Sequence, residues 1–459
     1  MGQRPNVVVM VADDHRMGAM GAQGDPCVQT PVFDQLIAQG ASFDRTHITG
    51  AFYGAVCAPS RASILTGNGV FSATASHEVD SAVGSETVNP ALATMPKTFR
   101  QAGYHTHAVG KWHNDRKTLS DGFASGSRLF FGGMSDHHAV PLREYDPEGI
   151  YPNEAVTIGE GFSSEIFADA AIDFIDTYAD DDPFFLYVAF TAPHDPRTPP
   201  SPYAEMYDPA TISLPPNAWA RHPFDNGEMK VRDEGLAAMP RDPAEVRRHI
   251  ADYYGMISHL DAQVGRVLDA LDRQGVANET IVVYTADHGL AVGQHGLMGK
   301  QNLYQHSITV PLLMRGPGIG PGQRVSQLTA NIDLFPTLCA LTGIDVPGTV
   351  QGTSLLPVLA PDTKAIRSSV FAAYRDVQRT VSDGRWKLIR YWISGKTGQG
   401  TEAWQLFDLE ADPWECNDLS GTASVRGEAE RLHTILQEWQ AAVDDMVWSE
   451  DLPEPAALS

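Results

Sequence analysis

The sequence predicts an α/β fold: a large, mostly parallel sheet sandwiched by helices, followed by a small α+β unit. Three apolar runs, residues 6–12, 184–190 and 280–286, read as strands buried on both faces, the pattern of a sheet covered by helices on each side. Stretches with helical spacing of apolar residues lie between them. Past residue 360 the chain changes to short alternating strands and one amphipathic helix. The expected division is therefore 1–360 and 361–459.

Taken in order, the first strand runs straight into Asp13-Asp14-His15-Arg16. Ligands of open α/β sheets bind beyond the carboxyl ends of strands. Two adjacent acids there suit either a solvated turn or a hard-metal site. Thr30-Pro31 supplies an N-cap and first-turn pair for a helix that Gly40 stops. In Cys57-Ala58-Pro59-Ser60-Arg61, Pro59 reads as the opener of a helix. Cys57 would then sit just ahead of a helix N-terminus, where free N–H groups favour an anion, with the Arg61 cation one turn in. A lone Cys before a short helix is equally the pattern of a buried, inert thiol.

Residues 70–93 read as a surface loop and 94–102 as a helix closed by Gly103. A short strand follows and leaves through Gly110-Lys111-Trp112-His113; in isolation Lys111 and His113 read as surface residues at a strand end. Residues 120–162 read as a surface insertion, in which Phe130-Phe131-Gly132-Gly133-Met134-Ser135-Asp136-His137-His138 could instead line a pocket, with His137 and His138 as its candidate side chains. Residues 163–179 carry Ile166, Ala170, Phe174 and Tyr178 on one helical face. The second buried strand exits into Pro193-His194-Asp195-Pro196, which holds His194 rigidly for either a structural or a catalytic role.

Residues 196–241 form a Pro-rich excursion, expected to cross the active face. Asp242-Pro243 starts a long helix that Gly275 ends. The third buried strand exits into Asp287-His288-Gly289, and a Gly-rich loop then ends in Lys300. A strand at 310–314 and a helix at 333–343 complete the large unit. In the C-terminal unit, 386–391 and 404–409 read as antiparallel strands, and a helix over 428–447 aligns Leu432, Ile435, Leu436, Trp439, Val443 and Met446.

Composition narrows the function. The 459 residues carry a formal charge of −24, which argues against nucleic acid and repels anions at long range. An anion site here must be built from local Lys, Arg, His and metal. No apolar run is long enough to span a membrane, and no signal-peptide pattern is seen. Cys27, Cys57, Cys339 and Cys416 show neither metal nor disulfide spacing, which fits a reducing compartment; a cytoplasmic protein is expected. The acids at two strand exits, Asp13, Asp14 and Asp287, together with His288, could meet as an oxygen-rich cage for calcium or magnesium rather than zinc.

The run Cys57-x-Pro59-Ser60-Arg61 with Leu65-Thr66-Gly67 resembles the signature of the type I sulfatases, in the alkaline phosphatase-like superfamily. Gly110-Lys111-Trp112-His113 resembles their second signature. Asp13-Asp14, Asp287-His288-Gly289 and Gly299-Lys300 complete the pattern in order, while Asn114-Asp115 stand where many relatives have Leu-Gly.

The resemblance implies that a formylglycine-generating enzyme oxidises Cys57. It implies one divalent ion, calcium ahead of magnesium or manganese, on Asp13, Asp14, Asp287, His288 and the modified residue 57. Arg61 and Lys111 would stabilise the hydrated formylglycine, Lys111, Lys300 and His194 would bind sulfate oxygens, and His113 would hydrogen-bond the gem-diol. One hydroxyl would attack sulfur while His194, with Lys300, helps the leaving oxygen take a proton. Loss of the second hydroxyl's proton, to His113, would then expel sulfate, a step an ordinary serine could not perform. The expected substrate is a small sulfated mono- or oligosaccharide, walled by loops 114–160 and 196–241. Alternatives are a phosphodiesterase or phosphonate monoester hydrolase, an aryl or choline sulfatase, and an inactive binder of sulfated glycans. The intact charged set argues against the last.

Overall fold

The computed structural model describes residues 4–52, 54–75, 88–360, 365–445 and 447. The first nine strands used here are β1 (Asn6–Ala12), β2 (Ala41–Phe43), β3 (Gly50–Ala51), β4 (His105–Lys111), β5 (Ser125–Phe130), β6 (Phe184–Ala189), β7 (Thr280–Ala286), β8 (Leu312–Arg315) and β9 (Gln323–Val325). All but β3 form one sheet in the order β9-β2-β8-β7-β1-β6-β4-β5. The five strands from β7 to β5 are parallel; β8 runs against both β7 and β2, and β9 is parallel to β2. The expected mostly parallel sheet is therefore present, and it is mixed.

Residues of β1 show why no polar alternation marks the central strands. Val8, Met10 and Ala12 face one apolar layer, and Val7, Val9 and Val11 face the other. The first layer is filled from α1 (Pro31–Gln39), and the second from α2 (Cys57–Thr66) and α3 (Met95–Gln101). Further along, α4 (Ser163–Thr177) and α5 (Pro243–Arg273) join the first layer, and α6 (Leu334–Thr342) joins the second. Each such side chain taken fully from water contributes roughly 1.5–3 kcal/mol.

Two helix starts illustrate local control. Asp242 caps α5, accepting from the N–H groups of Ala244 at 2.6 Å and Glu245 at 3.1 Å, with Pro243 first in the helix. Thr30 precedes α1 as expected, but its hydroxyl turns to Asp34, 3.1 Å away. The free N–H groups of Val32 and Phe33 donate instead to Asp261 of α5, at 3.1 and 2.7 Å. A carboxylate from the neighbouring helix thus does the capping and pins α1 against α5.

Residues 120–162 are not wholly a surface insertion: Ser125–Phe130 is an edge strand of the main sheet. Only its last two residues are buried, so an edge position hid it from an apolar-run search. Opposite it, Gly110 sits at φ +87, and a Cβ there would come within 2.1 Å of the Ala189 carbonyl oxygen. Only glycine allows that approach, which shapes the exit towards Lys111. Within 70–93, Val70–Ala73 is one helical turn and Thr74 bridges to Val88; residues 76–87 lie outside the described set.

The C-terminal unit has four strands of its own, β10 (Val370–Tyr374), β11 (Gln378–Ser382), β12 (Trp386–Tyr391) and β13 (Ala403–Asp408). The sheet order is β13-β12-β11-β10-β3, so Gly50–Ala51 from the large unit completes it in parallel with β10. One face carries α7 (Arg426–Ala442) through Ala429, Leu432 and Leu436; from the other, Ile389, Tyr391 and Phe407 join the first core layer. The terminal helix ends at Ala442, short of the expected 447, and Met446 lies outside the described residues. The expected limit at 360/361 adjoins residues 361–364, also outside them. No described helix is long and apolar enough to cross a membrane.

Candidate active site

Parallel strands end at one edge, and the chemistry gathers there. Ala12 pairs with Ala286, Val11 with Ala189, and Gly110 with Ala189, so the exits of β1, β7, β6 and β4 are neighbours. The Asp287 N–H donates to the Ala12 carbonyl at 3.1 Å, and that of Asp13 to Ala192 at 3.1 Å. These bonds place Asp13 and Asp14 beside Asp287 and His288.

Helix α2 drives into this edge with all ten residues buried. It begins at Cys57, with Val56 already in right-handed backbone, two residues before the expected opening at Pro59. Pro59 still lies in the first turn, where N–H groups have no intrahelical acceptor, so its missing donor costs nothing. Cys57 therefore stands within the first turn, not ahead of it. The helix is fixed by Ser60, whose hydroxyl donates to the Asp287 carbonyl and accepts from Asn331. Arg61 donates from Nε to Asp287 Oδ2 at 2.8 Å and from Nη1 to the Lys111 carbonyl at 3.0 Å.

Around the Cys57 sulfur stand His288 Nε2 at 3.1 Å and Lys300 Nζ at 3.5 Å. Lys300 also donates to Asp14 Oδ1 at 2.9 Å, and Lys111 donates to Asp13 Oδ2 and to the Gly133 carbonyl. His194 Nδ1 is tied to the Asp195 carbonyl at 2.7 Å, leaving Nε2 on the site side, 3.8 Å from Asp14 Oδ2. Asp14 and His113 have φ of +72 and +52, backbone that non-glycine residues rarely adopt and that clusters at functional sites.

Charge follows from this packing. Burial pushes the Cys57 thiol up, but Lys111, Lys300, His288 and a hydrogen bond with His113 bring it well below its ordinary range. Burial likewise opposes charge on His194, yet Asp14 and Asp13 raise it to about 9. His288 also rises to about 9 against burial, chiefly through Asp287. Asp287 is pushed up to about 6 by burial and by Asp13. Asp13 stays below the usual carboxylate range, because Lys111, His194 and Arg61 outweigh burial and Cys57.

The donor set fits a divalent cation. Asp13, Cys57, Asp287 and His288 each offer a ligand atom within 4.8 Å of the others, and Asp13, Asp14 and His194 do the same. Asp13 Oδ1 and Asp14 Oδ2 are buried with no hydrogen-bond donor. Buried carboxylate oxygens without donors are costly, and a cation relieves that cost.

A cavity of about 360 Å³ opens over Cys57, its wall including His113, Met134, His194, Arg232, Asp233 and Lys300. A larger cavity, about 580 Å³, is lined by Arg16, Arg45, His47, His306 and Glu415 and includes none of the metal-cluster residues. The chemistry sides with the smaller one. All the residues expected at the site converge. His137 and His138 do not line this cavity: His137 is buried behind it, with Nε2 2.9 Å from the His194 carbonyl, and His138 is exposed. Gly133 and Met134, from the 130–138 run read as a possible pocket lining, do line it, with the Gly133 carbonyl under Lys111; two wall features were not foreseen, the Arg232–Asp233 pair and Asp195 bound to Arg232. The only sequence signal for these two was their place beside, or in, the Pro-rich excursion.

Known proteins share the family and the fold. Residues 5–344 match the family described as Sulfatase, and 293–442 match "N-sulphoglucosamine sulphohydrolase, C-terminal". The N-acetylglucosamine-6-O-sulfatase of Bacteroides thetaiotaomicron is 27% identical over 514 aligned residues, covering 96% of this chain and 87% of that protein. A solved structure, described as bound to its substrate D-glucosamine-2-N,6-O-disulfate, superposes with a TM-score of 0.80 at 24% identity, over 97% and 99% of the two chains. The phosphonate monoester hydrolase of Agrobacterium radiobacter shares the fold with a TM-score of 0.72 at 22% identity, over 96% of each chain. With the family match spanning most of its length, the chain belongs to the sulfatase family, with the alkaline phosphatase-like fold, and is a sulfatase, a hydrolase of sulfuric esters.

Proposed function

We propose that this sulfatase removes sulfate from a sulfated mono- or oligosaccharide, using residue 57 as formylglycine and one divalent cation, calcium ahead of magnesium or manganese. The observation that carries the reading is the Cys57 sulfur between His288 and Lys300, at 3.1 and 3.5 Å, beside two buried carboxylate oxygens that lack donors. Asp13, Asp14, Asp287 and His288, with the side chain at 57, would hold the ion. When bound, it would supply Lewis acidity and favour the deprotonated nucleophile. The aldehyde oxidation state at 57 would supply, once hydrated, the two hydroxyls that let sulfate leave. Cys57 is buried in a helix, so its enzymatic conversion would precede folding.

The remaining steps belong to residues that the geometry supports. Lys111, held by Asp13 and Gly133, and Lys300, held by Asp14, neutralise sulfate oxygens. His194 is protonated at neutral pH, with Nδ1 anchored and Nε2 free to give the departing alcohol its proton. His113, which hydrogen-bonds residue 57, accepts the proton of the second hydroxyl. Arg61 holds Asp287 in place through a fully buried pair.

A sugar is favoured by the Bacteroides relative's printed activity and by a pocket wall with charged and amide groups at Arg232, Asp233 and Gln301. Choline sulfate fits less well, because the described lining has no Phe, Tyr or Trp to face a quaternary ammonium. A cytoplasmic setting belongs to the same proposal, supported by four unpaired cysteines. The likeness to a phosphonate monoester hydrolase gives a second reading, hydrolysis of phosphonate or phosphate esters. Paired assays of sulfated sugars, nitrophenyl sulfate and the matching phosphorus esters separate the two. Higher kcat/KM on the sulfates is expected; preference for the phosphorus esters would overturn the proposal.

A further inference from the structure

The main chain of His194 is tied on both sides. Its N–H donates to the Thr191 carbonyl at 3.1 Å, and its carbonyl accepts from His137 Nε2 at 2.9 Å. Rotation of the ring about its own side-chain bonds is a separate freedom. Nδ1 restrains it by donating to the Asp195 carbonyl at 2.7 Å, with Asp195 Oδ1 at 3.4 Å beside it. Whatever holds Asp195 therefore aims Nε2.

Arg232 holds Asp195. Nη1 donates to Oδ2 at 2.6 Å and Nη2 to Oδ1 at 2.9 Å, two parallel bonds to a side chain that is 6% exposed. Such a guanidinium fork fixes the plane of a carboxylate as well as its position, which an ammonium group does not. Arg232 opens the single helical turn Arg232–Leu236, and the next two residues bind a different segment. Asp233 Oδ2 accepts from Gln301 Nε2 at 2.9 Å. Glu234 accepts from the N–H groups of Met298 and Gly299, at 3.0 and 2.9 Å, in the loop that ends in Lys300. Arg232 Nη2 also reaches Asp233 Oδ1 at 2.7 Å, which joins the two grips. Three consecutive residues thus bracket the site, one holding the His194 exit and two holding the Lys300 loop.

The bracket sets the separation of two side chains that must meet the same leaving oxygen. Proton transfer needs its donor within about 2.6–3.2 Å of the acceptor. A displacement of about 1 Å, caused away from the reacting atoms, can cost about 10²-fold. The cost falls on leaving groups that need the proton and spares those that do not.

We propose that Arg232 is a positioning residue for proton delivery: through Asp195 it holds the His194 ring with Nε2 towards the leaving oxygen, in fixed register with Lys300. This rests on the reading of His194 as the leaving-group acid and adds the residue through which the excursion serves it.

The test measures kcat and KM for a sulfated hexosamine and for nitrophenyl sulfate on Arg232→Gln, Arg232→Lys, His194→Ala and the double variant Arg232→Gln/His194→Ala. Arg232→Gln should lower kcat on the sugar sulfate by about 10–10²-fold and on nitrophenyl sulfate far less, with KM nearly kept. Arg232→Lys should recover part of the loss, since an ammonium group restores the charge without the fork. On the sugar sulfate the double variant should be no slower than His194→Ala, because Arg232 acts through the ring already removed. Equal losses on the two substrates, a raised KM with kcat kept, or a further loss in the double variant each overturn the inference. In those cases a loss in His194→Ala that falls mainly on the sugar keeps the acid reading standing, whereas equal losses in His194→Ala overturn both. Should Arg232→Gln fail to fold, Arg232→Lys decides on the same two substrates.

Discussion

Replacing His194 with alanine should slow hydrolysis of a sugar sulfate by about 10²–10⁴-fold, yet slow an activated aryl sulfate by only about tenfold or less. The difference comes from the leaving group. A sugar alkoxide is a poor one and needs a proton as the S–O bond breaks, whereas nitrophenolate leaves without help. The structure gives His194 the means: Nδ1 is anchored on the Asp195 carbonyl at 2.7 Å, and Nε2 faces the site near Asp14. Asp14 and Asp13 raise its pKa to about 9 against burial, so the ring is protonated at neutral pH. The sugar-sulfate rate should accordingly decline as pH rises through about 9, when the proton is lost. Sulfate release from a sulfated hexosamine and colour release from nitrophenyl sulfate, measured on both proteins from pH 6 upward, check the effect. Equal losses on the two substrates would refute the acid role and leave His194 as a sulfate-binding group alone.

Other outcomes follow from the same geometry. Asp287→Ala removes one of the proposed ligands and Arg61's partner, so bound divalent metal and turnover should both be lost; retention of both would remove Asp287 from the centre. Arg61→Met leaves the Asp287 carboxylate buried without its guanidinium, and should cost about 3–5 kcal/mol in urea unfolding. An unchanged midpoint would show that the pair does not hold α2 to the strand exits. Burial lowers His222 from 6.5 to about 4, while the unfolded chain takes up the proton near 6.5. Its contribution of about 3 kcal/mol is therefore present above pH 6.5, lost as pH falls to about 4, and no further below that. His222→Asn should flatten the loss of stability between pH 7 and 4, and identical pH curves would contradict this.

Much of the site was legible because it sits where local signals are strongest. The strands ending at Ala12 and Ala286 are continuous apolar runs, and the polar residues after them, Asp13-Asp14 and Asp287-His288, break the run sharply. Their meeting depends on strand order, β7-β1-β6-β4, which apolar periodicity does not encode. The edge strand Ser125–Phe130 escaped because an edge needs few apolar residues, and Gly50–Ala51 because two residues carry no period. The start of α2 was misplaced by two residues since proline is tolerated anywhere in a first turn. Arg232 was hidden because its place arises from contact with Asp195, 37 residues back in sequence, and Asp233 because its own arises from Arg232 and the distant Gln301, within an irregular excursion.

The mass of the peptide containing residue 57, set beside sulfate released per protein molecule, reaches the nucleophile itself. Preparations made with graded amounts of formylglycine-generating enzyme should contain graded fractions of a peptide lighter than the Cys57 form. Turnover should rise in proportion to that fraction and vanish when it is zero. Full turnover by protein whose residue 57 is an unmodified thiol would contradict the proposed mechanism.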